Sequence, residues 1–237
     1  MDTRQGVLAT ARVHSRELSA NLAVILVVPL LARWLWPKFG EAFTQFGFGD
    51  LLSMLAGNGG WTDIGWEVGS AIGLIRGDYS AYDSLEVVHP LVGMDVEFVD
   101  LSSHSHPPMS IPLGIPLGFI DYGWWLSFWV IAAVVMIALT MRLLQVPAHI
   151  AYPLALLLAL TVPGKWGLVS TYPVAALLLA LAWRFRSNPS ASGISLGLFG
   201  ATRGIGLLLL AYPFARKQWK TLVWAIGVVF ALLVIAV

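Results

Sequence analysis

The residues best suited to chemistry lie in Gly60-Trp61-Thr62-Asp63-Ile64-Gly65-Trp66-Glu67, an acidic, aromatic, glycine-rich stretch set between apolar ones. A carboxylate beside a bilayer is costly unless it is solvated or used. Asp63, among glycine and tryptophan, can take up a proton or accept hydroxyl hydrogens; its structural alternative is to cap a helix beginning at Ile64. Glu67 lies four residues on and shares a helical face with Asp63, where it either assists that carboxylate or is a solvated outward acid. His104-Ser105-His106, with His89 and an acidic neighbour, has the donor types of a divalent-metal site. A His-x-His pair alone is weak support, so no metal is expected. Arg203, in an apolar segment broken by glycines, is an intramembrane charge and so a candidate for function; its alternative is to snorkel at the cytoplasmic edge.

The elements that must position these groups belong to a membrane protein. Of the 237 residues 58% are hydrophobic and 11% charged, with 11 Trp, and the mean hydropathy is +0.78. Soluble domains sit near 45–50% apolar and about 25% charged. A net charge of +1 and the lack of a basic cluster interleaved with aromatics exclude nucleic acid as a partner. With no cysteine, disulfides, thiolate metal sites and cysteine nucleophiles are excluded.

Arg4, Arg12 and Arg16 precede the first apolar run, so residues 1–20 are expected in the cytoplasm, and residues 21–36 as the first transmembrane helix, ending in Trp34 and Trp36. Residues 37–108 hold most of the acidic residues against Lys38 and Arg76, an asymmetry expected of an extracytoplasmic loop. Within it Phe39, Phe43, Phe46, Phe48, Leu51, Leu52 and Leu55 recur at spacings of three and four, as in an amphipathic surface helix. Pro107, Pro108, Pro112 and Pro116 then interrupt an apolar stretch, which predicts a re-entrant half-helix lining a cavity.

Residues 109–237 are expected to form the transmembrane helical region. Its spans are Tyr122 to Leu139, with an outer collar of Tyr122, Trp124, Trp125 and Trp129, then Val146 to Val162, Leu168 to Trp183, and Leu222 to Val237. A crossing by Gly193 to Phe214 would put Arg216, Lys217 and Lys220 outside, against the positive-inside rule, so a broken or re-entrant pair is predicted there. The last span ends at Val237 without a polar tail, from which we expect an N-terminal portion of a longer protein. The fold class expected is an all-α polytopic transmembrane bundle with a long extracytoplasmic first loop and re-entrant half-helices.

An Asp after the first helix, Gly77-Asp78-Tyr79-Ser80-Ala81-Tyr82-Asp83, and His106-Pro107-Pro108-Met109 running into Pro112-Leu113 and Pro116-Leu117 together resemble glycosyltransferase family 87. Ala191-Ser192-Gly193-Ile194-Ser195-Leu196-Gly197-Leu198 with Arg203, followed by Arg216-Lys217-Gln218-Trp219-Lys220, is similar to it as well. The resemblance covers roughly Trp61 to Lys220.

The resemblance implies a GT-C-type integral-membrane enzyme of the plasma membrane. Such an enzyme moves mannose or arabinofuranose from a polyprenyl-phosphate donor to a lipid-linked glycan or glycolipid on the extracytoplasmic face, inverting the anomeric centre. No cofactor is implied, because the polyprenyl-phosphate sugar is a substrate. The leaving phosphate is already anionic and needs no general acid, so one carboxylate suffices as base, whereas a glycosidase uses two. Asp63 is the candidate base. The donor phosphate needs cationic partners, for which Arg76, His104, His106, Lys165 and Arg203 are candidates. Trp61 and Trp66, flanking Asp63, stack on sugar rings or simply pack. The alternatives are a transporter, whose broken helices would also explain Gly193 to Pro213, and a non-catalytic membrane subunit.

Overall fold

The computed structural model describes residues 17, 19–35, 37, 55, 71, 75, 119, 122–160 and 170–236. The regular structure among them is helical: α1 (Ser19–Leu35), α2 (Tyr122–Leu143), α3 (Ala148–Leu160), α4 (Tyr172–Arg184), α5 (Pro189–Thr202), a 3-10 segment (Gly204–Leu210), α6 (Ala211–Ala215) and α7 (Trp219–Ala236). Two are long and apolar enough to cross a membrane, Trp124–Leu143 within α2 and Trp219–Ala236, each with a mean hydropathy of 2.1. The amphipathic helix expected near Phe39 to Leu55 and the proline-rich half-helix lie almost wholly outside the described residues.

Local sequence accounts for most boundaries. Asn188 caps α5, its side-chain oxygen accepting from the Ala191 N–H at 3.2 Å, with Pro189 following at the position where a missing N–H costs nothing. A proline also stands in the first turn of α4. At the end of α2 the chain turns through Gln145 in the left-handed region, φ 70°. There Val146 N–H bonds Met141 O at 2.9 Å and Gln145 N–H bonds Arg142 O at 3.0 Å, the closing pattern that glycine usually completes. The same pattern ends α6, with Lys217 at φ 56° and Gln218 N–H on Pro213 O at 2.8 Å.

Packing turns the soluble-protein pattern inside out. Along α3 the buried face is Ala151, Ala155 and Ala159, while Leu156 and Leu157 are exposed; along α7 it is Thr221 and Ala225, while Val223, Phe230 and Val234 are exposed. Large apolar side chains left outside over whole helices are a surface made for lipid. Small residues inside let backbones approach, which is what associates helices where burial from water no longer drives them together. A Cβ added to Gly193 would lie 2.5 Å from the Thr221 carbonyl oxygen and 2.6 Å from Trp224 Cβ. One added to Gly197 would lie 2.6 Å from the Ala225 carbonyl oxygen. The G-x-x-x-G spacing of Gly193 and Gly197 thus makes the α5–α7 seam, and Ser192 Oγ, donating to Ala182 O at 3.1 Å, ties α5 to α4.

The helix pair α1 and α2 is antiparallel and pinned at both ends. At one end the Arg33 guanidinium lies 4.0 Å over the Trp124 ring. At the other, Arg142 Nε is 3.2 Å from Glu17 Oε1, and the Tyr152 hydroxyl of α3 lies 3.3 Å from the same carboxylate oxygen and 3.1 Å from Asn21 Oδ1. Trp125 departs from the expected outer collar. At 1% exposure it is the largest fully buried side chain among the described residues, because it faces inward on α2 while Trp124 stacks on Phe128 at 5.9 Å.

The segment Gly193 to Phe214 is broken, as its sequence predicts, but at one place only. Gly193, Gly197 and Gly200 stay inside α5; the helix stops where Arg203 becomes extended, φ −140° and ψ 112°, with Gly204 behind it. The chain then folds back along α5. A Cβ on Gly200 would meet Leu207 at 2.8 Å, and one on Gly206 would meet Phe199 at 2.6 Å. Tyr212 and Leu209 come to rest beside Ser192 and Leu196, near the start of α5. The hairpin therefore returns to the end where it began, and Arg186, Lys217 and Lys220 gather there.

Candidate active site

The end of the bundle opposite that basic cluster is built by the start of α4 and the break after α5. Ser170 and Thr171 lead into α4 and are 2% and 3% exposed. The Ser170 hydroxyl accepts from the Tyr172 N–H at 3.2 Å. Thr171 stands at the cap position without making a side-chain cap, and its buried hydroxyl oxygen has no hydrogen-bond partner. The first N–H groups of a helix lack intrahelical acceptors and carry the positive end of its dipole.

Arg203 is brought to this place by the extended break. Its backbone N–H closes α5 on Phe199 O at 3.1 Å, and its guanidinium sits 4.1 Å over the Tyr172 ring. The ring's negative face holds the cation and fixes its plane. A guanidinium, the start of a 13-residue helix and a hydroxyl donor all favour a negative charge, and a planar fork of N–H groups suits phosphate. Arg203 is half-buried at this end of the bundle. It stands one length of α5, about 20 Å, from the basic end.

Asp63, Glu67, Trp61, Trp66, Arg76, His104, His106 and Lys165 lie outside the described residues. Of the candidates named from the sequence, the structure describes Arg203 and puts it against Tyr172. Among the described residues no three histidine or acidic side chains come together as metal ligands do. Thr171 and Tyr172 were not singled out from sequence, although Ser170-Thr171-Tyr172-Pro173 carries the signal of a helix start, a hydroxyl residue followed by proline. That signal marks where α4's open N–H groups fall.

Residues 105–237, more than half of the chain, match glycosyltransferase family 87. The chain belongs to glycosyltransferase family 87. The match takes in His106, Lys165 and Arg203, and starts later than the resemblance from Trp61, so Asp63, Glu67 and Gly77 to Asp83 precede it. No curated protein and no solved structure matches the chain. Membership of family 87 makes the protein a glycosyltransferase, acting on a sugar donor and an acceptor, and with the two long apolar helices points to a membrane protein. An enzyme family sets aside the transporter and non-catalytic alternatives.

Proposed function

We propose that this family 87 enzyme transfers mannose or arabinofuranose from a polyprenyl-phosphate donor to a lipid-linked glycan or glycolipid, with inversion, on the extracytoplasmic face of the plasma membrane. Asp63 takes the proton of the acceptor hydroxyl as that oxygen attacks the anomeric carbon. The polyprenyl phosphate leaves on the opposite face of the sugar with the electron pair of the broken bond. Arg203 holds the phosphate, neutralising the charge that grows on it as the bond breaks. Glu67, Trp61 and Trp66 bind the acceptor and the sugar, and Arg76, His104, His106 and Lys165 supply further cationic contacts.

The observation that carries this reading is Arg203 over Tyr172 at the head of α4, an anion-favouring place at the end of the bundle away from the basic cluster. By the positive-inside rule the basic cluster is cytoplasmic, which puts Arg203 on the outer side with the acidic loop. The arginines before α1, expected in the cytoplasm by the same rule, follow that orientation.

The test is transfer of labelled sugar from polyprenyl-phosphate mannose, and separately arabinose, in membranes containing the chain or Asp63→Asn. Activity is expected with one donor, and the near-isosteric amide should reduce it at least about 100-fold, the range of general-base catalysis. Transfer that survives in Asp63→Asn moves the base to another residue, with Glu67 next.

A further inference from the structure

We propose that the basic end of the bundle binds one anionic glycerophospholipid, its phosphate held by Arg186, Lys217 and Lys220 and one acyl chain lying between α4, α5 and α6. Two cavities adjoin there. One, of about 420 Å³, is lined by the three cations together with Gln218, Trp219 and Thr221, and among the described residues no acidic one lines it. The other, of about 210 Å³, runs between Leu179, Trp183, Leu196, Leu209 and Tyr212 and is almost wholly apolar. Arg186 and Gln218 line both, so a charged mouth continues into a greasy groove. That is the outline of an amphiphile with an anionic head.

The cations are set for this role. Arg186 is held by its Nη1 donating to Trp183 O at 3.2 Å and lies 4.9 Å over the Trp183 ring, which leaves the rest of its fork facing outward. Lys217 occupies a left-handed position, φ 56°, that glycine would hold at lower cost. Lys220 lies in the first turn of the 18-residue α7, whose open N–H groups add to the field. Trp183 and Trp219 are exposed beside this mouth, and indole rings are enriched in the headgroup layer of membranes. Basic recesses between helices at a membrane surface take up anionic headgroups. The inference requires only that this end lies at the membrane surface, and it stands whichever sugar the enzyme moves.

The full chain in neutral-detergent micelles, offered equal phosphatidylglycerol and phosphatidylcholine, is read by native mass spectrometry. One phosphatidylglycerol per chain is expected, favoured roughly tenfold. That preference should vanish in the combined variant Arg186→Gln, Lys217→Gln, Lys220→Gln and weaken in the single, surface Lys220→Gln. Leu209→Trp, which fills the groove and spares the charges, should lower retention of the lipid. Equal retention of the two lipids overturns the proposal, as does a preference unchanged in the triple variant. Displacement of the lipid by an equal concentration of inorganic phosphate would reduce the site to a free-anion site and also overturn it. Undecaprenyl phosphate that displaces phosphatidylglycerol and resists exchange would make the groove a donor site instead, with the same result. These readouts do not involve sugar transfer, so they are unaffected if Asp63→Asn leaves transfer intact.

Discussion

A single guanidinium illustrates how a residue can be legible in kind and hidden in place. Arg203 stands out in the sequence because a charge in an apolar segment is costly. Its partner, Tyr172, is far away in the chain, and no periodicity links them; the 4.1 Å contact exists because the helix stops at Arg203 and not at an earlier glycine. If Arg203 holds the donor phosphate, Arg203→Gln should lower kcat/KM for the donor about 10- to 100-fold, the worth of one or two charge-assisted bonds. Arg203→Lys should recover part of the loss, since it restores charge without the fork. Transfer rates measured against donor concentration decide the matter, and an unchanged dependence in Arg203→Gln would remove the residue from the site. Asp63 and Glu67 were picked out by composition and neighbours; their surroundings rest on residues the structure does not describe.

Helices were the most readable elements, because long apolar runs ending in tryptophan or arginine can be little else. The apolar runs starting at Tyr122, Val146, Leu168 and Leu222 fall on the helices α2, α3, α4 and α7, of which α2 and α7 are long and apolar enough to cross a membrane. What the run of glycines after Gly193 meant was harder to see, since glycine both breaks helices and lets them touch. Here Gly193 and Gly197 touch α7, and only Arg203-Gly204 breaks. Gly197→Val should therefore destabilise the folded protein by about 1–3 kcal/mol, the usual cost of overpacking a tight seam. Gly204→Ala is the control, because a Cβ there meets nothing within 4 Å. Thermal unfolding midpoints in detergent separate the two, and equal midpoints would argue against the seam.

For the whole molecule, composition alone excluded a soluble domain, and the inverted distribution of large and small side chains gives that exclusion its structural form. A direct check uses the absence of cysteine, which makes single-cysteine variants clean. A spin label at Phe230→Cys should be accessible to oxygen and shielded from a water-soluble relaxant, and one at Lys220→Cys should show the reverse. Water access at Phe230 would show that α7 does not face lipid. The return of the α5 hairpin to its own starting end also bears on how the protein is made. The face carrying Gly193 and Gly197 has no cover until α7 has been synthesised, and half of the hairpin is too irregular to partition into lipid by itself. Packing of the hairpin is therefore complete only once α7 has been made, and the two are expected to reach their final arrangement together.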